Sequence, residues 1–161
     1  MPPSASNLSH VVGPTAVPLQ HRTVGAALAA AADRWPDRVG LIVSEQGIRW
    51  SFREFAAKVE QLARAFLGTG LLPGDRVGIW SPNCVEWVLA QFATAQAGLI
   101  LVNINPAYRT SELRFALRKT GVRMLLLADA FKSSDYLGMM REIVPELGLQ
   151  REGLLLSEEF P

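Results

Sequence analysis

Apolar and polar positions follow three rhythms along this chain. From Thr23 to Trp35 the period is helical: Val24, Ala27, Leu28, Ala31 and Trp35 share one face, Thr23 stands where a cap belongs, and Pro36 stops the run. The period then shortens to two. Ile48, Trp50 and Phe52 alternate with Arg49 and Ser51, after an apolar run from Val39 to Ser44. The turn residues Glu45-Gln46-Gly47 between them predict a β-hairpin. Ser51 and Glu54 have capping-box spacing, and the next helix carries Phe55, Val59, Leu62, Ala63 and Phe66 on one stripe before Gly68 and Gly70 end it.

Beyond Pro73-Gly74 a third pattern repeats. Arg76 to Trp80, Leu99 to Ile104 and Val122 to Ala128 are short, nearly continuous apolar runs at even spacing. A helical stretch separates each from the next. The first turns Val85, Val88, Leu89 and Phe92 inward and closes at Gly98; the second turns Leu113, Ala116 and Leu117 inward and closes at Gly121. Strand, helix, strand, helix, strand predicts a parallel βαβαβ sheet with right-handed crossovers. Continuous rather than alternating apolar strands predict a sheet covered on both faces. A last helix is expected over Tyr136 to Ile143, before Pro145; from Gly148 to Pro161 no period is evident. The fold class is therefore α/β: an amino-terminal hairpin and a parallel sheet with flanking helices.

Composition narrows the field. With 161 residues, 49% of them hydrophobic, one domain with a real core is expected. Sixteen basic against fifteen acidic residues leave +1, without the basic excess of a nucleic-acid binder. One cysteine, Cys84, allows no internal disulfide and no zinc cluster. The apolar runs are too short to cross a bilayer. Residues 1–20 carry no Lys, Arg, Asp or Glu but four prolines. This reads as a flexible arm ahead of a domain over 21–161, without the basic start of a secretory signal or the arginines of a mitochondrial leader. A cytoplasmic protein is expected.

Candidate chemistry is sparse. Gly68, Gly70 and Gly74 mimic a dinucleotide loop, but Pro73 interrupts it, and the glycines follow a helix and precede a strand, the reverse of the required order. A helix stop and a turn explain them. Cys84 falls in the first turn of a helix, where a thiol can be activated, yet the only histidines are His10 and His21, in and just after the arm. A quiet, largely buried thiol is the plainer reading. Glu158-Glu159 are adjacent, so they point apart into solvent. Arg114 and Arg118 share a helix face near Arg109 and Lys119; a solvated face accounts for them, although Arg109 could reach a phosphate. Ser81-Pro82-Asn83, Asn105-Pro106 at the end of an expected central strand, and Asp129 all follow strands, so they gather at the carboxyl edge of the sheet, where open α/β sheets bind ligands. Asn and Pro also end strands for purely local reasons.

Several short stretches together resemble the adenylate-forming, AMP-binding enzymes: acyl-CoA synthetases, luciferases and peptide-synthetase adenylation domains. Trp50-Ser51-Phe52-Arg53-Glu54-Phe55 is similar to their early LTYxEL motif, and Ala95 to Pro106 to their AGxxxVPxxP strand. Leu72 to Val77 and Ser81 to Trp87 follow the same pattern. VNINPAYRTSEL, from Val102 to Leu113, is closer to fatty-acyl-CoA synthetases than to peptide synthetases. The resemblance covers about residues 20–161. It implies the amino-terminal part of a medium- or long-chain fatty acid–CoA ligase, whose complete form uses ATP, magnesium, coenzyme A and a fatty acid. The family's phosphate loop, adenine motif, ribose-binding aspartate and catalytic lysine come later in its members. The resemblance therefore assigns no catalytic, cofactor-binding or metal residue here, and the stretch alone is expected to be inactive and to bind no cofactor. Two other readings stay open: a non-catalytic α/β interaction module pairing through exposed sheet edges, and a small nucleotide-binding protein using the edge at Ser81, Asn105 and Asp129.

Overall fold

The computed structural model describes residues 13–14, 16–148, 157, 159 and 160. Most of the arm, residues 1–12 and 15, lies outside the described residues; its remaining positions are exposed and form neither helix nor strand. Helix α1 runs over Val24–Arg34, with the Thr23 hydroxyl accepting the Ala26 amide at 3.2 Å. Strands β1 (Val39–Val43) and β2 (Ile48–Ser51) form the expected antiparallel hairpin. The hairpin feeds directly into α2 (Phe52–Gly68). Ser51 and Glu54 close a reciprocal capping box: the Glu54 amide donates to Ser51 Oγ at 3.2 Å, and the Ser51 amide donates to Glu54 Oε2 at 2.8 Å.

The sheet follows: β3 (Arg76–Trp80), α3 (Val85–Ala97), β4 (Ile100–Ile104), α4 (Thr110–Thr120) and β5 (Met124–Leu127). All its pairings are parallel, and the order is β4-β3-β5. Both crossovers thus start from or pass over β3. A miniature hairpin, β6 (Ala130–Phe131) and β7 (Ser134–Asp135), precedes α5 (Tyr136–Ile143). Its turn places Lys132 at φ +54°, a left-handed conformation uncommon for a side chain.

Alternation along the strands divides the core into two. Val77, with Met124 and Leu126, faces α2 and α3 and the side chains of Leu28, Phe55, Val59, Ala63, Phe66, Ala93 and Ala97. Trp80 and Ile104, with Leu125 and Leu127, face α4 and α5 through Leu113, Leu117, Tyr136, Met140 and Ile143. Each large side chain taken fully from water here contributes about 1.5–3 kcal/mol. Gly78 lies on the second face; a Cβ there would meet Leu125 Cδ1 at 3.0 Å and Val122 Cγ1 at 3.1 Å. The strand can hold no larger residue without moving the layer above it.

Two expectations require correction, and a third is extended. On α1 only Leu28 of the presumed inward set is buried; Val24 and Trp35 are exposed. The helix instead approaches α3 through Gly25, where a Cβ would stand 3.3 Å from the Gln96 backbone. On α3 the expected inward Val85 is buried and Val88, Leu89 and Phe92 are half-buried against the same core, and the small Ala90, Ala93, Thr94 and Ala97 are buried beside them. The small residues give close approach, while Phe92 leans toward α2 and meets Phe55 edge-on at 5.1 Å. Finally, the strand ending in Asn105-Pro106 is an edge of the described sheet and not its centre. Among the sheet strands only β3 is buried along most of its length; β4 and β5 are largely half-buried.

Candidate functional site

The parallel register brings Ser81, Asn105 and Asp129 to one edge, as the sequence suggests. Their polar atoms are largely engaged by the chain itself. Ser81 Oγ donates to the Pro82 carbonyl at 3.0 Å and lies 3.4 Å from Cys84 Sγ. Asn105 Oδ1 accepts the Ala107 amide at 2.9 Å, a local turn. The Asn105 carbonyl accepts Trp80 Nε1 at 3.1 Å and the Tyr108 amide at 3.0 Å. The Asp129 carbonyl accepts the Tyr136 amide at 3.1 Å. Asn105-Pro106 is therefore a structural joint. The Pro106 carbonyl accepts the Tyr136 hydroxyl at 2.6 Å, and the Tyr136 ring stacks on Trp80 at 3.7 Å. Neither Trp80 nor Tyr136 stood out in the sequence, because their partners lie 25 and 30 residues away.

Cys84 sits just ahead of α3 as its N-cap and provides no side-chain cap. The cap comes from the hairpin turn. Gln46 Oε1 accepts the Val85 amide at 2.6 Å, and Gln46 Nε2 donates to Glu86 Oε2 at 3.1 Å. The thiol is half-buried, not largely buried. The glycine triplet behaves as a stop and a turn: Gly70 and Gly74 have φ +89° and +92°, and the Gly74 amide donates to the Gly98 carbonyl at 2.8 Å. Arg109 holds the start of α4 through its amide, which donates to Glu112 Oε2 at 3.1 Å. Arg114 and Arg118 are exposed as expected but reach Glu159 at 3.7 and 3.5 Å, so that carboxylate is paired rather than free in solvent. Glu158 lies outside the described residues.

The carboxylates with displaced proton affinity are also structural. Glu54 is held low first by the Ser51 amide, Asp75 by the Leu72 amide, Glu86 by its own amide and then Gln46, and Glu112 by its own amide and then Arg109. Burial pushes the Tyr136 phenol up. Glu54 accepts the Ser51 hydroxyl at 2.9 Å, Glu112 the Ser111 hydroxyl at 3.2 Å, and Glu86 also faces the Cys84 thiol; the two hydroxyl contacts belong to helix starts. Among the described residues no cluster of His, Cys, Asp or Glu could hold a metal ion, and no helix is long and apolar enough to cross a membrane. A wide open groove of about 1130 Å³ lies between α2 and β5, walled by Trp50, Lys58, Leu62, Ser81, Leu126 and Asp129. It is mainly apolar, as the uncovered end of a sheet face should be.

Residues 28–159 match the AMP-binding enzyme family. This chain belongs to that family. The chain is 43% identical over 154 residues to the mitochondrial medium-chain acyl-CoA ligase ACSF2 of Mus musculus, covering 96% of this chain and 25% of the relative. It is 44% identical to the same ligase of Danio rerio, covering 99% and 27%. It thus spans about a quarter of the length of the curated relatives it matches. Its fold superposes on the N-terminal domain of FACL13 from Mycobacterium tuberculosis with a TM-score of 0.64, over 66% of this chain and 27% of that one, at 24% identity. The α/β architecture, hairpin and parallel sheet are those of the amino-terminal region of acyl-CoA ligases.

Proposed function

We propose that this chain is the amino-terminal scaffold of an ATP-dependent fatty-acyl-CoA ligase. In the complete enzyme a fatty acid carboxylate displaces pyrophosphate from the α-phosphate of ATP, giving an acyl-adenylate. The thiol of coenzyme A then takes the acyl group and AMP leaves. Magnesium would screen the phosphate charge in that enzyme. The substrate class follows the relatives, which are named medium-chain acyl-CoA ligases. The residues described here do not fit a nucleotide or metal. At the sheet edge Ser81 and Asn105 are turned onto their own backbone, and no step of the reaction is placed on them. That engagement is the observation behind a second part of the reading: these 161 residues do not catalyse the reaction by themselves. Pyrophosphate release from ATP with medium- and long-chain fatty acids tests both parts. The 161-residue chain should give none, and the protein extended to its relatives' length should give it with coenzyme A dependence. Release by the short chain would overturn the scaffold reading.

A second reading rests on the sheet. Among the described residues β4 and β5 each pair on one side only, and Ile100 on β4 is 47% exposed. Such edges favour a partner strand, so self-association is part of the proposal. The division into an arm over 1–20 and a partial subdomain over 21–161 is proposed with it; limited proteolysis trimming the chain near residue 20 would support it. Cytoplasmic placement is a proposal of the same kind. The ACSF2 relatives are named mitochondrial, and cell fractionation decides between the two.

A further inference from the structure

We propose that Ser157, Glu159 and Phe160 form a strap fastened onto the α4–α5 layer, and that ionic strength sets whether it is fastened. Three different contacts meet there. Glu159 Oε1 lies 3.7 Å from Arg114 Nε and 3.5 Å from a terminal nitrogen of Arg118. Phe160 packs, half-buried, against the core cluster that α4 and α5 share with Trp80. Ser157 Oγ donates to Glu146 Oε1, in the turn after α5, at 3.5 Å. The same oxygen accepts the Glu159 and Phe160 amides at 3.3 and 3.4 Å, a local turn that presents the carboxylate and the ring together.

Charge decides how the strap is held. Arg114 and Arg118 stand one turn apart on α4, so their like charges oppose the helix unless an anion lies between them. Glu159 supplies that anion. Its Oε1 is shut off from water and makes no hydrogen bond among the described residues, so the two guanidiniums hold it by charge. The guanidinium side is open: the Arg114 and Arg118 side chains are 45% and 65% exposed, so dissolved ions reach them and screen the attraction. Phe160 gives an apolar anchor that screening does not touch. The strap thus combines one salt-sensitive contact with one insensitive contact, and its release would free both guanidiniums of their carboxylate. None of this draws on the chemistry of the ligase reading.

Fluorine NMR of the 161-residue chain carrying 4-fluorophenylalanine at position 160 tests the strap. At low salt the signal should lie away from that of the same residue in a short peptide of residues 155–161. Sodium chloride at about 0.5 M, where the Debye length falls to roughly 4 Å, should move it toward the peptide value. Glu159→Arg should move it there at low salt, and so should R114E/R118E. Combining the three exchanges should return it to the parent position, because opposite charges meet again. Glu159→Gln, which removes the charge without reversing it, should move the signal part of the way. Far-UV circular dichroism checks that the helices persist in each variant; if R114E/R118E loses them, E159R and E159Q, outside every described helix, carry the test. A parent signal at the peptide position overturns the proposal, and so does a displaced signal that neither E159R nor salt shifts. These readouts use no ATP or coenzyme A, so failure of the ligase reading and failure of the strap are separable.

Discussion

The joint between β4 and α5 can be taken apart one group at a time. Tyr136 is buried, its ring stacked on Trp80 and its hydroxyl donating to the Pro106 carbonyl at 2.6 Å. Tyr136→Phe keeps the ring and removes the hydrogen bond. The net worth of such a bond is about 1 kcal/mol, and Pro106 is half-buried, so water can partly replace the lost donor. The expected cost is therefore about 1 kcal/mol, a fall in thermal midpoint of roughly 2–4 °C for a domain of this size. Tyr136→Ala removes the ring as well, leaving a cavity against Trp80, and should cost about 4 kcal/mol. Urea unfolding followed by tryptophan fluorescence reads both. The phenol adds a signature in alkali. Its folded pKa lies above the ordinary 10.0 because burial disfavours the phenolate. Stability from that group is full below pH 10 and is lost as pH rises through the folded value; the Phe variant should not show this loss. If Y136F matched the parent within error and Y136A cost less than about 1 kcal/mol, the joint would not hold the two elements together.

Other outcomes follow from the same geometry. Gln46→Ala should lower stability by about 1 kcal/mol in urea unfolding, because α3 would lose the side-chain cap on its Val85 amide. Gly78→Ala should cost about 1–3 kcal/mol, since its Cβ would press on Leu125 and Val122; a neutral result in calorimetry would mean that layer yields easily. On acidification Glu54, Asp75, Glu86 and Glu112, all with folded pKa values below their ordinary 4.5 or 3.8, favour the folded chain above those ordinary values. Their contribution is lost as pH falls through the depressed values, so a pH series of urea midpoints should drop below about pH 4. E54Q should flatten part of that drop.

Local chemistry was legible in the sequence; the order of distant parts was not. The capping box at Ser51 and Glu54, the hairpin turn at Glu45-Gln46-Gly47 and the ends of α5 depend on neighbouring residues, and the structure has them where the pattern places them. The rhythm of apolar runs implied parallel strands but not which lies in the middle, because pairing is decided across about 24 to 47 residues of chain. The inward face of α3 was read in part: its large residues do pack on the core, but the small Ala90, Ala93, Thr94 and Ala97 that lie deepest gave no hydrophobic signal. At the candidate site the residues were gathered correctly at one edge. Their engagement by their own backbone, and the Gln46 cap 39 residues from Val85, had no sequence signal. The hairpin β6–β7 was missed because its turn uses Lys132 where a glycine or asparagine would have announced it.

The placement of β3 between its two successors sets an order of events as well as a topology. As the chain leaves the ribosome, β3 appears before either strand it will pair with, and one side of it is satisfied when β4 emerges. Its other side waits until Leu127 has been made, and Trp80 gains its Tyr136 partner only nine residues later still. During that interval the most buried of the described strands has an open flank, which makes it the natural client of holding chaperones and the place where slow translation would promote misassembly. Pulse proteolysis of arrested chains should find β3 protected only once α5 has cleared the exit tunnel.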